Sequence, residues 1–109
     1  MATTYKVLGQ SNPSATTATT LYTVPSATQT IVSTITVCNQ AATAGTYRIA
    51  VRVAGATLAA NQYVAYDVSL PGNASDTLTL GVTLGATDVI TVYASSATVS
   101  FNAYGSEIS

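Results

Sequence analysis

The sequence predicts an all-β fold: a two-sheet antiparallel β-sandwich or jelly-roll-like domain of about eight strands. Three observations carry that prediction. Apolar residues alternate with polar ones nearly everywhere, and helical spacing is not sustained over any window of 11 residues. Thr, Val, Ile and Tyr, which fit a pleated, half-buried surface, dominate the alternating runs. Turn residues (Asn12-Pro13, Val24-Pro25-Ser26, Ala44-Gly45, Pro71-Gly72-Asn73 and Gly85-Ala86-Thr87) separate the runs at short, regular intervals.

Taken in order, the runs place strands at about 5–10, 19–24, 29–38, 45–53, 62–70, 76–84, 88–94 and 97–104. Gln10 to Thr20 is small and polar, so residues 1–20 read as an N-terminal strand and polar arm. Residues 21–109 then form the sandwich body of a single domain. In the third run Ile31, Ile35 and Val37 share a face with Ser33 as a polar intruder, and Cys38 reads as a buried, inert thiol. In the fourth and fifth runs Tyr47, Ile49, Val51 and Val53 face the core, as do Val64, Tyr66, Val68 and Leu70. Pairing Val53 with Gln62 sets Val51 against Val64, Ile49 against Tyr66, and Arg48 against Asp67 as an exposed ion pair. The last two runs match as a hairpin around Ser95-Ser96, with Ala94 facing Ala97, Val92 facing Val99 and Ile90 facing Phe101. Gly-Ala-Thr occurs at residues 55–57 and 85–87 without repeated surroundings, which marks two turns and no duplication.

Composition narrows the chemistry. The 109 residues include 20 Thr, 18 Ala and 11 Ser, but only seven charged side chains, for a net charge of −1. An average soluble domain is about 25% charged. A near-neutral chain offers no electrostatic footprint for nucleic acid or an anionic membrane. No run approaches the roughly 18 apolar residues of a membrane helix, and none forms a signal-peptide core. The chain is therefore expected to be made and kept in a cytoplasm, or assembled into something there. With no His and one Cys, the usual zinc sites and an intrachain disulfide cannot be built. Asn73-Ala74-Ser75 matches a glycosylation acceptor, a chance match without a secretory signal.

Catalysis finds little to work with. Ser and Thr are plentiful, but no His can serve as general base, and Lys6 is the only lysine. Asp76 and Asp88 stand beside turns, where a carboxylate hydrogen-bonds locally. Gly81 to Gly85 lies inside a strand pattern with no helix after it, so it is not a phosphate loop. The chain reads as no enzyme, with no cofactor. Exposed tyrosines are enriched at protein interfaces and on sugar-binding platforms. The candidate interface residues are Tyr5, Leu8, Arg52, Tyr63, Tyr93 and Tyr104.

Lys6-Val7-Leu8-Gly9-Gln10-Ser11-Asn12-Pro13 resembles the opening of small virion structural proteins of tailed bacteriophages. Tyr22-Thr23-Val24-Pro25, Ile31-Val32-Ser33-Thr34-Ile35 and Val37-Cys38-Asn39 extend the likeness. So do Asp88-Val89-Ile90, Val92-Tyr93-Ala94, Val99-Ser100-Phe101-Asn102-Ala103, Gly105 and Glu107-Ile108. The resemblance covers most of the chain through structural patterns and carries no catalytic signature. It implies a virion component: a capsid decoration (cement) protein, or a tail or fibre module. The alternative reading is a tail-associated module that recognises host surface glycans through outer Tyr, Asn and Gln residues. The decoration reading suits a single free-standing domain. Its implied partners are the major capsid protein and further copies of this chain, a homo-oligomer with a trimer favoured. The scarcity of charge fits such packing, because charge depletion marks interface cores and few charged residues guard the sheet edges.

Overall fold

A computed structural model of the chain describes residues 2–109. Nine strands form two antiparallel sheets: β1 (Thr3–Ser11), β2 (Thr19–Thr23), β3 (Gln29–Asn39), β4 (Gly45–Arg52), β5 (Tyr63–Leu70), β6 (Ser75–Leu78), β7 (Val82–Leu84), β8 (Val89–Ala94) and β9 (Val99–Ile108). One sheet runs β1-β9-β3-β6, with β7 also on β3, and the other runs β2-β8-β4-β5. β6 and β7 are the single run expected at 76–84, interrupted at Gly81, whose φ of +62° takes the chain out of extended geometry. Counted as one strand, they give an eight-stranded jelly roll. Strands pair first with last and inward from both ends, down to the β4–β5 hairpin.

The two inner faces bury Val24, Val32, Ile35, Val37, Tyr47, Ile49, Leu70, Ile90, Val92, Val99, Phe101 and Ala103. This aliphatic core holds one aromatic pair: the edge of one ring meets the face of the other at Tyr47 and Phe101, with centroids 6.1 Å apart. The Tyr47 hydroxyl leaves the core by donating to Asp76 Oδ2 at 2.8 Å. Asn39, also buried, ties loops together at one end of the sandwich. Its Nδ2 donates to the Thr43 carbonyl at 2.9 Å, and its Oδ1 accepts from Ala41 N and Thr98 Oγ1.

The structure corrects the expected hairpin at Ser95-Ser96. β8 pairs with β2 and β4, whereas β9 pairs with β1 and β3 in the opposite sheet. Ser95 is held to β4, since its N–H donates to the Thr46 carbonyl and its Oγ accepts from Thr46 N. Past the crossing, the Thr98 carbonyl accepts from Gln40 N beyond the end of β3. Val92, Val99, Ile90 and Phe101 still share one core, but they enter it from opposite sheets. Matching polarity is satisfied as well across a core as within a ladder.

Two strand faces also differ from expectation, and both differences come from bulges. In β3 the register with β9 shifts between Val32 and Thr34. Thr30 and Val32 point inward before the shift and Ile35 and Val37 after it, leaving Ile31 and Ser33 outside. Cys38, one residue beyond Val37, therefore lies on the outer face and is exposed. In β5 the expected register holds from Gly45↔Leu70 to Tyr47↔Val68, then slips to Ile49↔Ala65 and Ala50↔Tyr63. Val64 and Tyr66 consequently turn outward, 50% and 57% exposed, and Ala65 packs against the core instead. The proposed pairs Val53–Gln62, Val51–Val64 and Ile49–Tyr66 do not form.

The segment between β1 and β2 carries the chain from one sheet to the other. Pro13 is buried, and Asn12 Nδ2 donates to the carbonyls of Ala97 and Val99 at 2.9 and 2.8 Å. Thr16 N donates to the Ala94 carbonyl. The polar residues before Thr20 are thus laid along the end of their own sandwich.

Candidate functional site

The β5 bulge builds the most organised feature of the outer surface. Two residues, Tyr66 and Asp67, come to lie opposite Arg48 of β4, and the bulge requires φ of +49° at Asp67. Aspartate tolerates this left-handed conformation better than most side chains do. Arg48 Nε donates to Asp67 Oδ1 at 2.7 Å and its Nη2 to Oδ2 at 3.2 Å, a two-pronged ion pair. That contact holds the Asp67 carboxyl below the usual carboxylate range and raises the guanidinium's own value. The guanidinium carbon lies 4.2 Å from the Tyr66 ring centre and 4.3 Å from that of Tyr93 on the neighbouring β8. The cation is thus flanked by an aromatic ring on each side. Tyr63 meets Tyr66 edge to face at 4.9 Å. Beside them Leu58, Ala59 and Ala60 complete an open recess of about 550 Å³.

The other candidate residues lie elsewhere. Arg52 donates to the carbonyls of Ala56 and Gly55 and reaches Thr91 Oγ1, holding the loop after β4 onto its own sheet. Leu8 packs inward against the core. Tyr5 on β1 is 82% exposed and Val7 48%. Tyr104, cross-strand from Val7, lies on the outer face of that same sheet. The outer tyrosines therefore form two separate groups, Tyr63, Tyr66 and Tyr93 on one sheet and Tyr5 and Tyr104 on the other. Tyr66 is the member that sequence reasoning missed. Only the bulge reveals it, and strict alternation conceals a bulge.

A third cluster ties β1, β2, β3 and β9 together. Lys6 Nζ lies 2.9 Å from Glu107 Oε1, and the Tyr22 hydroxyl donates to Glu107 Oε2 at 2.5 Å while accepting from Thr30 Oγ1. The Tyr22 bond and then Lys6 keep Glu107 below its ordinary value. Burial and then the Glu107 bond push the Tyr22 phenol up to about 12. Burial, reinforced by Asp76, also raises the Tyr47 phenol. Asp88 accepts from Ala54 N and Gly85 N, bridging two turns.

All seven charged side chains are therefore engaged within the chain: two ion pairs, an arginine on loop carbonyls, and two aspartates on a phenol and on backbone N–H groups. Among the described residues no three His, Cys, Asp or Glu side chains cluster as metal ligands. No helix among them is long and apolar enough to cross a membrane. Such a surface can recognise through shape, aromatic faces and backbone edges, and none of its seven charged side chains is without a partner. Comparison with family models, with curated proteins and with solved structures gives no match.

Proposed function

We propose that this chain is a non-enzymatic structural subunit of a tailed-phage particle: a capsid decoration protein that stabilises the head by packing against the major capsid protein. The observation that carries the reading is the internal engagement of every charged side chain. A surface so arranged can be buried against a neighbour without desolvating an unpaired ion, whose burial is costly. The jelly-roll architecture suits such packing, because it is the architecture of viral capsid domains among others. The phage assignment itself draws on the sequence resemblance. Particles assembled without this protein are expected to lose integrity at a lower temperature or under salt stress than complete ones. Equal thermal release of DNA from both particles would refute the role.

A second reading draws on the outward Tyr63 and Tyr66 beside the recess at Leu58 to Ala60. Rings in such a position suit stacking on sugars, as in a tail-associated module that binds host surface glycans. Binding of the isolated protein to a glycan array, weakened by Tyr66→Ala, together with its location at the tail, would favour this reading over the first.

A further inference from the structure

Jelly rolls leave four sheet edges, and here they are not equally protected. β2 is five residues long and bulged at Leu21. β5 carries two register shifts. The edge formed by β6 and β7 is broken at Gly81 into pieces of four and three residues. Shortness, bulges and breaks all blunt an edge against pairing with another chain. β1 is different. Thr3 to Val7 pairs with β9 in continuous register, the first irregularity coming only at Leu8, and all five residues are exposed.

The hydrogen-bond phase of this edge can be fixed. Ala2 and Ser109 exchange both backbone bonds, N to O at 2.7 and 2.9 Å. Bonded and non-bonded pairs alternate along an antiparallel ladder. With Thr3↔Ile108 through Val7↔Tyr104 in register, Thr4 and Lys6 therefore turn their N–H and C=O groups toward β9. Thr3, Tyr5 and Val7 turn theirs to the open side.

We infer that this edge pairs with the same edge of a second copy, antiparallel about a two-fold axis through Tyr5. This rests on the reading of the chain as an assembled subunit and gives that subunit a definite self-contact. The register is self-complementary. Tyr5 pairs with Tyr5 of the second copy, and Thr3 pairs with Val7 in both directions. All three residues offer outward backbone groups, so six inter-chain hydrogen bonds form. Lys6 falls opposite Thr4, which keeps the two ammonium groups from facing each other, and each lysine retains its Glu107 partner. The outward side chains at the contact are Thr3, Tyr5 and Val7, two of them large and exposed apolar groups. Pairing identical strands antiparallel closes on a two-fold, so this contact makes a dimer in place of the expected trimer.

The contact involves five residues a side, fewer than the roughly 20–30 of a standard interface, so association is expected to be weak, with dimer appearing as the concentration rises toward millimolar. Sedimentation equilibrium of the full chain should show a monomer–dimer equilibrium. Because Tyr5 meets itself on the axis, Tyr5→Lys places two like charges face to face and should weaken dimerisation by about tenfold or more. Tyr5→Glu should do the same, and an equimolar mixture of the two variants should recover a heterodimer. Circular dichroism of each variant checks that the fold is retained, as expected for a side chain in solvent. The inference is overturned if the wild-type chain stays monomeric at millimolar concentration, or if Tyr5→Lys dimerises like wild type. It is equally overturned if the mixture fails to associate. Should the wild-type chain be monomeric and Tyr5→Lys abolish particle binding, another protein's strand occupies the edge. Self-pairing then fails while the particle role stands.

Discussion

Asn39 offers the most direct test of how this sandwich is held together, because one buried amide serves several loops at once. Asn39→Ala removes the acceptor of Ala41 N at 3.0 Å and of Thr98 Oγ1 at 3.2 Å, and the donor to the Thr43 carbonyl at 2.9 Å. The contacts to the Leu70 and Pro71 carbonyls are long, at 3.4 Å, and add little. A buried group left without its partner costs about 1–3 kcal/mol. Three groups are orphaned here, but Thr98 keeps a second partner in Ser96 and all three lie only partly buried. The expected loss is therefore about 2–4 kcal/mol, the lower part of the summed range. Against a total stability of roughly 5–15 kcal/mol this is severe. At roughly 4 °C per kcal/mol it lowers Tm by about 8–16 °C. Urea unfolding followed by circular dichroism and tyrosine fluorescence measures it, the chain having no tryptophan. Asn39→Asp keeps the acceptor but turns the donor into a second acceptor facing carbonyls, so it should cost at least as much at neutral pH. A loss below about 1 kcal/mol for Asn39→Ala would refute the reasoning, since it would mean that the orphaned groups find other partners.

Two further predictions concern charge. Glu107 has a depressed value in the folded state, so its stabilisation is present above the unfolded range near pH ~4.3 and is lost as pH falls through the lower folded value. Wild type should accordingly lose more stability between pH 7 and pH 3 than Tyr22→Phe, read as urea midpoints. The raised Tyr22 phenol works in the opposite sense, stabilising below its unfolded value near ~10 and no longer once pH passes about 12. Its ionisation step at 295 nm should be missing in Tyr22→Phe. At the bulge, Asp67→Gly and Asp67→Ala both remove the Arg48 partner, but only alanine meets a steric penalty at φ +49°. Tm should therefore fall in the order wild type, Gly, Ala, and near-UV dichroism should change in both variants as Tyr66 and Tyr93 lose the fixed cation between them.

Local pattern is informative wherever a strand keeps a simple register. Alternation in Ile49–Val51, Val68–Leu70 and Val99–Phe101 reads directly, because one face of an antiparallel sheet must enter the core and period two leaves one way to do so. Arg48 and Asp67 could be matched for a related reason: the stretch from Gly45 to Tyr47 keeps the simple register up to the bulge. Tyr66, Val64 and Ile31 could not be placed, because a bulge inverts the side chains on one side of it relative to those on the other. Cys38 follows the inward Val37, so alternation itself puts it outside, and its apolar character misled. Asp67 bears the only local sign, being a residue that accepts a left-handed φ.

By itself the sequence determined the fold class, most strand positions, the turns and the scarcity of charge, since these depend on each residue's own chemistry and on its nearest neighbours. Tertiary structure alone decided how strands pair beyond the β4–β5 hairpin, that Ser95 to Thr98 crosses between sheets, and that the charged side chains other than Arg48 and Asp67 also find partners inside the chain. The physical reason is that a strand's pattern specifies which face is buried but not what buries it. Val92 loses the same water whether Val99 lies beside it in a ladder or opposite it across the core. Only the closing of both sheets around one interior, with the Asn39 and Ser95 bonds at its end, selects the second arrangement.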